Sequence, residues 1–197
     1  MIIMLGVSQN DFIYHKKSAF TQKECDFFIE LFETRPESQF KGMITNTKRG
    51  SVLDKEKKIS TEIVLRYNDW PFLHPLEQVV KEYKEKYPST SNLCPWGIWS
   101  TYKMQRYLPG EGYFFVHCEN TGPQQGDPDT FKRMMAWMVY LNDVTEGGYT
   151  NFPAQKRKFQ PRRGDVLLWP AYFTHPHHGI VSKTQTKYIL TGWYSFV

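Results

Sequence analysis

Residues 113–120, with the sequence YFFVHCEN, place a histidine and a glutamate two positions apart at the end of an aromatic run. In an extended strand, side chains alternate between two faces, so His117 and Glu119 point the same way while Cys118 points the opposite way. Such a pair can be an ordinary strand edge or two of the three protein ligands of a metal site. The rest of the chain has to supply the third ligand.

A third ligand is available in the segment THPHHG, which holds three of the six histidines, His175, His177 and His178. Two histidines and one carboxylate form the facial triad of non-haem Fe(II) oxygenases, which leaves positions open for a co-substrate and oxygen. A basic residue, Lys187, follows in the predicted strand KYILTGWY. Alone, H-x-E is a weak signal and Lys187 could be a solvated edge-strand lysine. The combination in this order favours a metal site.

The composition indicates a globular protein of one domain. The 197 residues are 40% hydrophobic and 16% aromatic, which suits a folded domain with a substantial core. The net charge of +5 comes from scattered residues, so a nucleic-acid partner is not expected. Cys25, Cys94 and Cys118 form no CxxC pair, which argues against a zinc knuckle or a disulfide framework.

The sequence also carries expectations about location. The opening MIIMLGVSQNDF lacks a basic region and a long apolar region, and no stretch approaches the ~18 apolar residues of a membrane span. A soluble protein without membrane association is therefore expected. The three cysteines are expected to be reduced, as is usual inside the cell. The expected location is the cytoplasm, or the host cytoplasm if the chain is viral.

The amino-terminal half, about residues 1–95, is predicted to provide helical support. The segment FTQKECDFFIELFE begins with Thr21 and Glu24 at capping-box spacing, which predicts a helix near residues 22–34. Apolar residues at helical spacing in PFLHPLEQVVKEYKEKY predict a second helix near residues 71–87. The polar segment 42–63 between them is interpreted as a loop or an edge hairpin.

From Trp96 to the end, the pattern changes to short strands. Segments such as MMAWMVYLN, DVLLWP and KYILTGWYSFV are rich in β-branched and aromatic residues and are separated by Pro, Gly, Asn or Asp. Many short strands with intervening turns are typical of a sandwich or barrel. The sequence therefore predicts a mostly β protein, a jelly roll (cupin-like) at about residues 96–197, braced by amino-terminal helices.

Four motifs, QRYLPGEGYFFVHCEN, WMVYLNDVTEGGYTNFP, PRRGDVLLWP and HHGIVSKTQTKYILTGW, occur in one order. In this order they resemble the catalytic core of the prolyl 4-hydroxylase-like branch of 2-oxoglutarate/Fe(II)-dependent oxygenases, of the short type found in bacteria and viruses. The resemblance runs from about residue 99 to the end and extends more faintly to FTQKECDFFIELF and KKISTEI. It implies a double-stranded β-helix and one oxygenase domain over residues 1–197.

The resemblance implies a ligand set for Fe(II). His117 and Glu119 take the place of the family's H-x-D pair, and His177 is the distal histidine because it lies two residues before Gly179 and ten before Lys187. His178 and His175 are the alternatives. Glutamate at position 119 departs from the usual aspartate, and the extra methylene moves the carboxylate outward by about one bond.

The resemblance also implies the co-substrates 2-oxoglutarate and O₂. Lys187 would pair with the distal carboxylate of 2-oxoglutarate, and Tyr107 and Tyr140 would offer hydroxyls to the same molecule. The reaction implied is hydroxylation of an unactivated C–H bond, with succinate and CO₂ as co-products.

For the substrate, the resemblance implies a prolyl residue in a peptide or protein. The candidates for the substrate mouth are Tyr102, Arg106, Tyr113 and Trp193, with the polar loop 120–131 as a possible lid. Three alternatives remain open: the same chemistry on a non-prolyl substrate, a jelly-roll binding module without catalysis, and a zinc hydrolase that uses the same three ligands.

Overall fold

The computed structural model describes residues 10–46, 50–67, 73–122 and 128–197. Its helices are α1 (Gln22–Glu33) and α2 (His74–Lys86). The strands are β1 (Tyr14–Lys16), β2 (Phe40–Lys41), β3 (Ile44–Asn46), β4 (Gly50–Val52), β5 (Lys58–Ile59), β6 (Thr61–Arg66), β7 (Trp96–Ile98), β8 (Thr101–Tyr107), β9 (Gly112–Tyr113), β10 (Arg133–Tyr140), β11 (Thr150–Phe152), β12 (Arg157–Phe159), β13 (Val166–Pro170), β14 (His178–Gly179) and β15 (Lys187–Phe196).

One large antiparallel sheet forms the frame of the molecule. Its strands lie in the order β1-β13-β10-β15-β8-β6-β2, and β7 also pairs with β15. A smaller sheet has the order β12-β11-β14. Between the two sheets lies a core of Ile13, Tyr107, Ala136, Tyr140, Phe152, Phe159, Leu167, Trp169 and Ile189. Two sheets around one core form the double-stranded β-helix, so the predicted fold class is confirmed.

The outer face of the large sheet is covered by the two helices, as predicted. Thr21 and Glu24 form the capping box at the start of α1, with each side chain bonded to the other residue's backbone. The apolar face of α1 buries Cys25, Phe28, Leu31 and Phe32, and α2 buries Leu76, Val79 and Tyr83. These side chains pack with strand residues such as Met104 and Trp137 into a second core.

The amino-terminal half also supplies strands to the large sheet, in addition to the expected helices. β6 pairs with β8 over six residues, β2 continues the edge beyond β6, and β1 pairs with β13 at the opposite edge. Sequence patterns missed most of these amino-terminal strands, because Lys58, Ser60 and Glu62 are polar and yet buried. The hairpin expected within residues 42–63 is present as β3 and β4.

Within the described residues, neither helix combines the length and apolar character that a membrane span requires.

Candidate metal centre

His117 and His177 are brought together by backbone pairing between two irregular segments. The His117 amide donates to the His177 carbonyl at 3.0 Å, and the His177 amide donates to the His117 carbonyl at 2.8 Å. Glu119 is held nearby by its amide, which donates to the Ala171 carbonyl at 3.0 Å. As a result, one ligand atom from each of His117, Glu119 and His177 lies within 4.8 Å of the others.

The histidine tautomers suit metal binding. His117 Nδ1 donates to the Phe115 carbonyl at 2.9 Å, and His177 Nδ1 donates to the His175 carbonyl at 3.0 Å. Because a carbonyl oxygen can only accept, the proton of each neutral ring lies on Nδ1 and the lone pair lies on Nε2. These Nε2 atoms lie 3.4 and 3.3 Å from Glu119 Oε1. Three electron-pair donors thus converge on one point, which fits a divalent cation with two nitrogen ligands and one oxygen ligand.

The protonation states fit the same assignment. Burial lowers the pKa of His117, and the neighbouring His177 lowers it further, so the ring is neutral at pH 7. Burial opposes ionisation of Glu119, but the neighbouring His117 and His177 outweigh it and hold the pKa of Glu119 well below its usual value. A neutral imidazole and a carboxylate are the forms that bind metal ions.

Trp193 and Arg133 fix the glutamate. The indole nitrogen of Trp193 donates to Glu119 Oε2 at 2.9 Å, which leaves Oε1 directed at the histidines. The Arg133 guanidinium lies 3.8 Å from the centre of the Trp193 ring and donates to the Glu119 carbonyl at 3.2 Å. Trp193 lines the cavity, as expected for the substrate mouth, but its polar atom serves Glu119. Sequence patterns gave no signal for Arg133.

The two alternative histidines point elsewhere. His175 Nε2 donates to the Asp11 carbonyl at 2.8 Å, and its Nδ1 lies 2.9 Å from the Thr174 hydroxyl. His178 Nε2 lies 2.9 Å from the side-chain amide of Asn151. Of the three histidines in THPHHG, the structure therefore brings His177 to Glu119.

Lys187 lies in the same cavity, which has a volume of about 530 Å³. Its side chain is buried, and Nζ donates to the Gly148 carbonyl at 3.0 Å. Burial lowers the pKa of Lys187 to about 8. Among the described residues, no carboxylate lies within ion-pair distance of this ammonium group. Gly179 leaves space beside it, since a Cβ at that position would lie 3.8 Å from Nζ. The arrangement fits a carboxylate ligand.

The two tyrosines expected beside Lys187 differ in position. Tyr107 lines the cavity, with its ring centre 5.0 Å from Lys187 Nζ, and its hydroxyl donates to Gln105 at 2.6 Å. Tyr140 is fully buried, and its hydroxyl donates to the Thr150 hydroxyl at 2.7 Å. Thr150 on β11 lies at the cavity wall, so it separates Tyr140 from the space. The expectation that Tyr140 offers its hydroxyl to a ligand in the cavity is therefore wrong for this structure.

Two of the four expected substrate residues lie away from the cavity. Tyr102 is buried against Trp137, with ring centres 5.8 Å apart. Arg106 lies over Phe32 and donates to Glu33 of α1 at 2.9 Å. The reason is strand alternation: odd-numbered residues of β8 line the cavity, and even-numbered residues face the helices. Placing Tyr102 and Arg106 at the mouth was wrong.

Tyr113 does lie at the cavity, stacked on the His117 ring with centres 3.8 Å apart. Residues 123–127 of loop 120–131 lie outside the described residues, so the lid stays a prediction.

Comparison with known proteins agrees with this geometry. The family model of the 2OG-Fe(II) oxygenase superfamily matches residues 102–195. The chain is 28% identical over 184 residues to probable prolyl 4-hydroxylase 8 of Arabidopsis thaliana, which covers 92% of this chain and 57% of that protein. The chain spans about half the length of the curated relatives it matches, from 46% to 60%.

Solved structures share the fold. A viral collagen prolyl hydroxylase from Paramecium bursaria Chlorella virus-1, in complex with 2OG, aligns over 98% of this chain and 99% of that chain, with a TM-score of 0.71 and 19% identity. A prolyl hydroxylase from Trichoplax adhaerens, in complex with a peptide fragment of the hypoxia inducible factor, aligns over 95% of this chain and 84% of that chain, with a TM-score of 0.67 and 14% identity.

Proposed function

We propose that the protein is an Fe(II)- and 2-oxoglutarate-dependent dioxygenase, because residues 102–195 match the family model of the 2OG-Fe(II) oxygenase superfamily. Its proposed reaction is hydroxylation of a prolyl residue in a peptide or protein. The net reaction takes up O₂ and 2-oxoglutarate, and it releases succinate and CO₂ as the substrate C–H becomes C–OH. The proposal treats residues 1–197 as one domain, and it retains the expected cytoplasmic location.

The observation that carries the proposal is the convergence of His117, Glu119 and His177 in one cavity with Lys187. The three ligand atoms would hold Fe(II), with Trp193 keeping Glu119 to one oxygen. Bound Fe(II) supplies oxygen activation at the positions that a three-ligand face leaves open.

Lys187 would hold the co-substrate. An ammonium group in a dry site binds a carboxylate strongly because few water molecules compete for either charge. The hydrogen bond to the Gly148 carbonyl fixes Nζ, and Tyr107 forms the adjacent wall. Binding of a dianion would stabilise the charged form of this buried lysine.

The prolyl assignment is supported by the names of the similar proteins and by the aromatic wall. Tyr113 at the metal ligands and the half-exposed Phe115 offer flat apolar surfaces beside the site. Proline-rich segments are already extended, so their binding to an aromatic groove costs little conformational entropy.

The test is anaerobic loading with Fe(II), followed by addition of 2-oxoglutarate, oxygen and a set of proline-containing peptides. We expect succinate formation that rises with peptide, and a gain of one oxygen in the peptide mass. Succinate without peptide oxidation would leave an oxygenase of another substrate class. A protein that binds Zn(II) and hydrolyses peptides, or one that forms no succinate, would contradict the dioxygenase assignment.

A further inference from the structure

A second group of charges lies on the cavity wall formed by β5, β6 and β8. The fully buried Glu62 carboxylate lies 2.5 Å from Lys58 Nζ and 3.1 Å from Lys103 Nζ. Ser60 donates to it at 2.9 Å. Gly42 leaves room for this pair of side chains, because a Cβ there would lie 2.0 Å from Ser60 Oγ and 2.6 Å from Glu62 Oε1. In this Lys58–Glu62–Lys103 cluster, two lysines share one carboxylate, so one positive charge is in excess when both are protonated. Burial lowers the pKa of Lys58, and the Glu62 carboxylate opposes that shift.

The cluster is distinct from the lysine proposed to hold the co-substrate. In the pairing of β15 with β8, Lys187 lies opposite Tyr107 and Thr191 lies opposite Lys103. Four residues of strand separate the two positions by about 13 Å along the sheet. The cluster instead adjoins the metal ligands, since Lys58 Nζ lies 4.9 Å from the centre of the Tyr113 ring that stacks on His117.

The other charges of the cavity have nearby partners or proposed ligands. Among the described residues, five cationic side chains and one carboxylate line the cavity: Lys57, Lys58, Lys103, Arg133 and Lys187 against Glu119. Lys57 pairs with Asp54 at 3.1 Å, and Arg133 is directed at Glu119 and Trp193. The cluster thus places its excess charge next to the metal ligands, and the Arg133 guanidinium, which contacts a carbonyl and an aromatic ring there, adds to it. In a site with little water, an excess positive charge favours a bound anion.

We propose that the Lys58–Glu62–Lys103 cluster is a subsite for a carboxylate of the substrate, so that the enzyme prefers a peptide with an acidic residue beside the residue it oxidises. The inference rests on the proposed function, which it deepens. Glu62 and the deeply buried Lys58 give the subsite its rigid base, and Lys103, with 29% of its side chain exposed, contacts the incoming group. The carboxylate could be an acidic side chain or a free peptide carboxyl terminus.

The experiment uses four peptides with blocked termini. The central residue is Pro or Ala, and both of its neighbours are Glu or Gln. A fifth peptide has Gln before the proline and ends at the proline with a free carboxyl terminus. Their dissociation constants are measured by calorimetry on the protein loaded with Fe(II) and 2-oxoglutarate in oxygen-free buffer, and succinate formation is then measured in air.

We expect the Glu peptides to bind about tenfold more tightly than the Gln peptides, as for a hydrogen bond to a charged group. Lys103→Met should reduce this preference to about twofold or less, whereas Lys103→Arg should keep most of it. The matched control is Lys23→Met on the exposed surface of α1, which removes the same charge and should keep the full preference. Tighter binding of the fifth peptide than of the Pro/Gln peptide would assign the subsite to a terminal carboxylate.

The central residue tests the prolyl assignment, and the neighbouring residues test the carboxylate subsite, so the two proposals can fail separately. A preference for Glu without a preference for proline supports the subsite and overturns the prolyl assignment. A preference for proline without a preference for Glu or for the free terminus overturns the subsite and keeps the prolyl assignment. Absence of binding by all five peptides overturns the subsite as a site for peptide carboxylates. A Lys103→Met variant whose KM for 2-oxoglutarate rises, with the peptide preference intact, shows that the cluster serves the co-substrate and also overturns it.

Discussion

The cavity holds lysines in two different electrostatic settings. Lys187 is buried with a backbone carbonyl as its polar contact, whereas Lys58 and Lys103 share the buried carboxylate of Glu62. A buried ammonium group without a counterion lowers the stability of the fold, and the binding of an anion offsets this loss. A lysine that is already paired holds its position in the free protein and attracts a second anion less strongly. The first setting suits an obligatory co-substrate, and the second suits selection among substrates.

The largest expected effect concerns the metal ligands, which share the cavity with both groups of lysines. His177→Ala should reduce Fe(II) binding by at least about 100-fold, because loss of a ligand costs more than the 10–100-fold typical of its supporting hydrogen bonds. His178→Ala is the matched control, since His178 contacts Asn151 instead. Metal content after anaerobic dialysis measures both variants. Loss of iron in His178→Ala with retention in His177→Ala would show that the ligand register is shifted by one residue.

Next in size is the loss of the buried ammonium group. Lys187→Met should raise the KM for 2-oxoglutarate by at least about 100-fold, since removing one partner of a buried charge pair costs about 3–5 kcal/mol. Iron binding should change little, because Lys187 contacts none of the three ligands. Succinate formation over a wide range of 2-oxoglutarate concentration measures the effect. An unchanged KM would place the anchor elsewhere, with the Lys58–Glu62–Lys103 cluster as the next site to test.

The same residue predicts a pH dependence of stability. The pKa of Lys187 is lowered from 10.5 to about 8, so its protonated form destabilises the fold below pH 8 in the absence of ligand. The penalty of about 3 kcal/mol should disappear as the pH rises from about 8 to 10.5. Lys187→Met should therefore be more stable than the parent protein at pH 7, and the difference should vanish near pH 10.5. Urea unfolding of the ligand-free proteins measures this. A Lys187→Met variant that is less stable than the parent protein at pH 7 would contradict the claim that Lys187 is a destabilising buried charge.

The smallest expected effect tests how the metal end is fixed. Trp193→Phe keeps a ring beneath Arg133 but removes the donor to Glu119 Oε2. We expect about tenfold weaker Fe(II) binding, the lower end of the range for a hydrogen bond that orients a ligand. The KM for 2-oxoglutarate should respond less than in Lys187→Met. Unchanged iron affinity would mean that Glu119 is oriented without the indole.

Local patterns determined much of this protein in advance. The capping box and apolar spacing placed both helices, and the alternation of β-branched and aromatic residues placed the main strands of the jelly roll. The H-x-E spacing placed His117 and Glu119 together. These features depend on neighbours a few residues apart, so the sequence alone carries them.

Which face of β8 meets the cavity was decided by tertiary structure, because alternation gives two faces and not their surroundings. Tyr102 and Arg106 therefore face the helices, while Lys103 and Tyr107 face the site. Tyr140 lies behind Thr150 because β11 covers that end of β10.

The contacts that complete the site join residues distant in sequence. His177 reaches His117 through one backbone bridge, Trp193 donates to Glu119 across 74 positions, and Glu62 meets Lys103 from a neighbouring strand. In a sequence, a polar residue such as Glu62 is expected at the surface. Its burial becomes favourable only when partners that are distant in sequence pair with it in the folded protein. The sequence by itself thus determined which chemistry the chain can carry, and the packing of distant strands decided which residues meet to perform it.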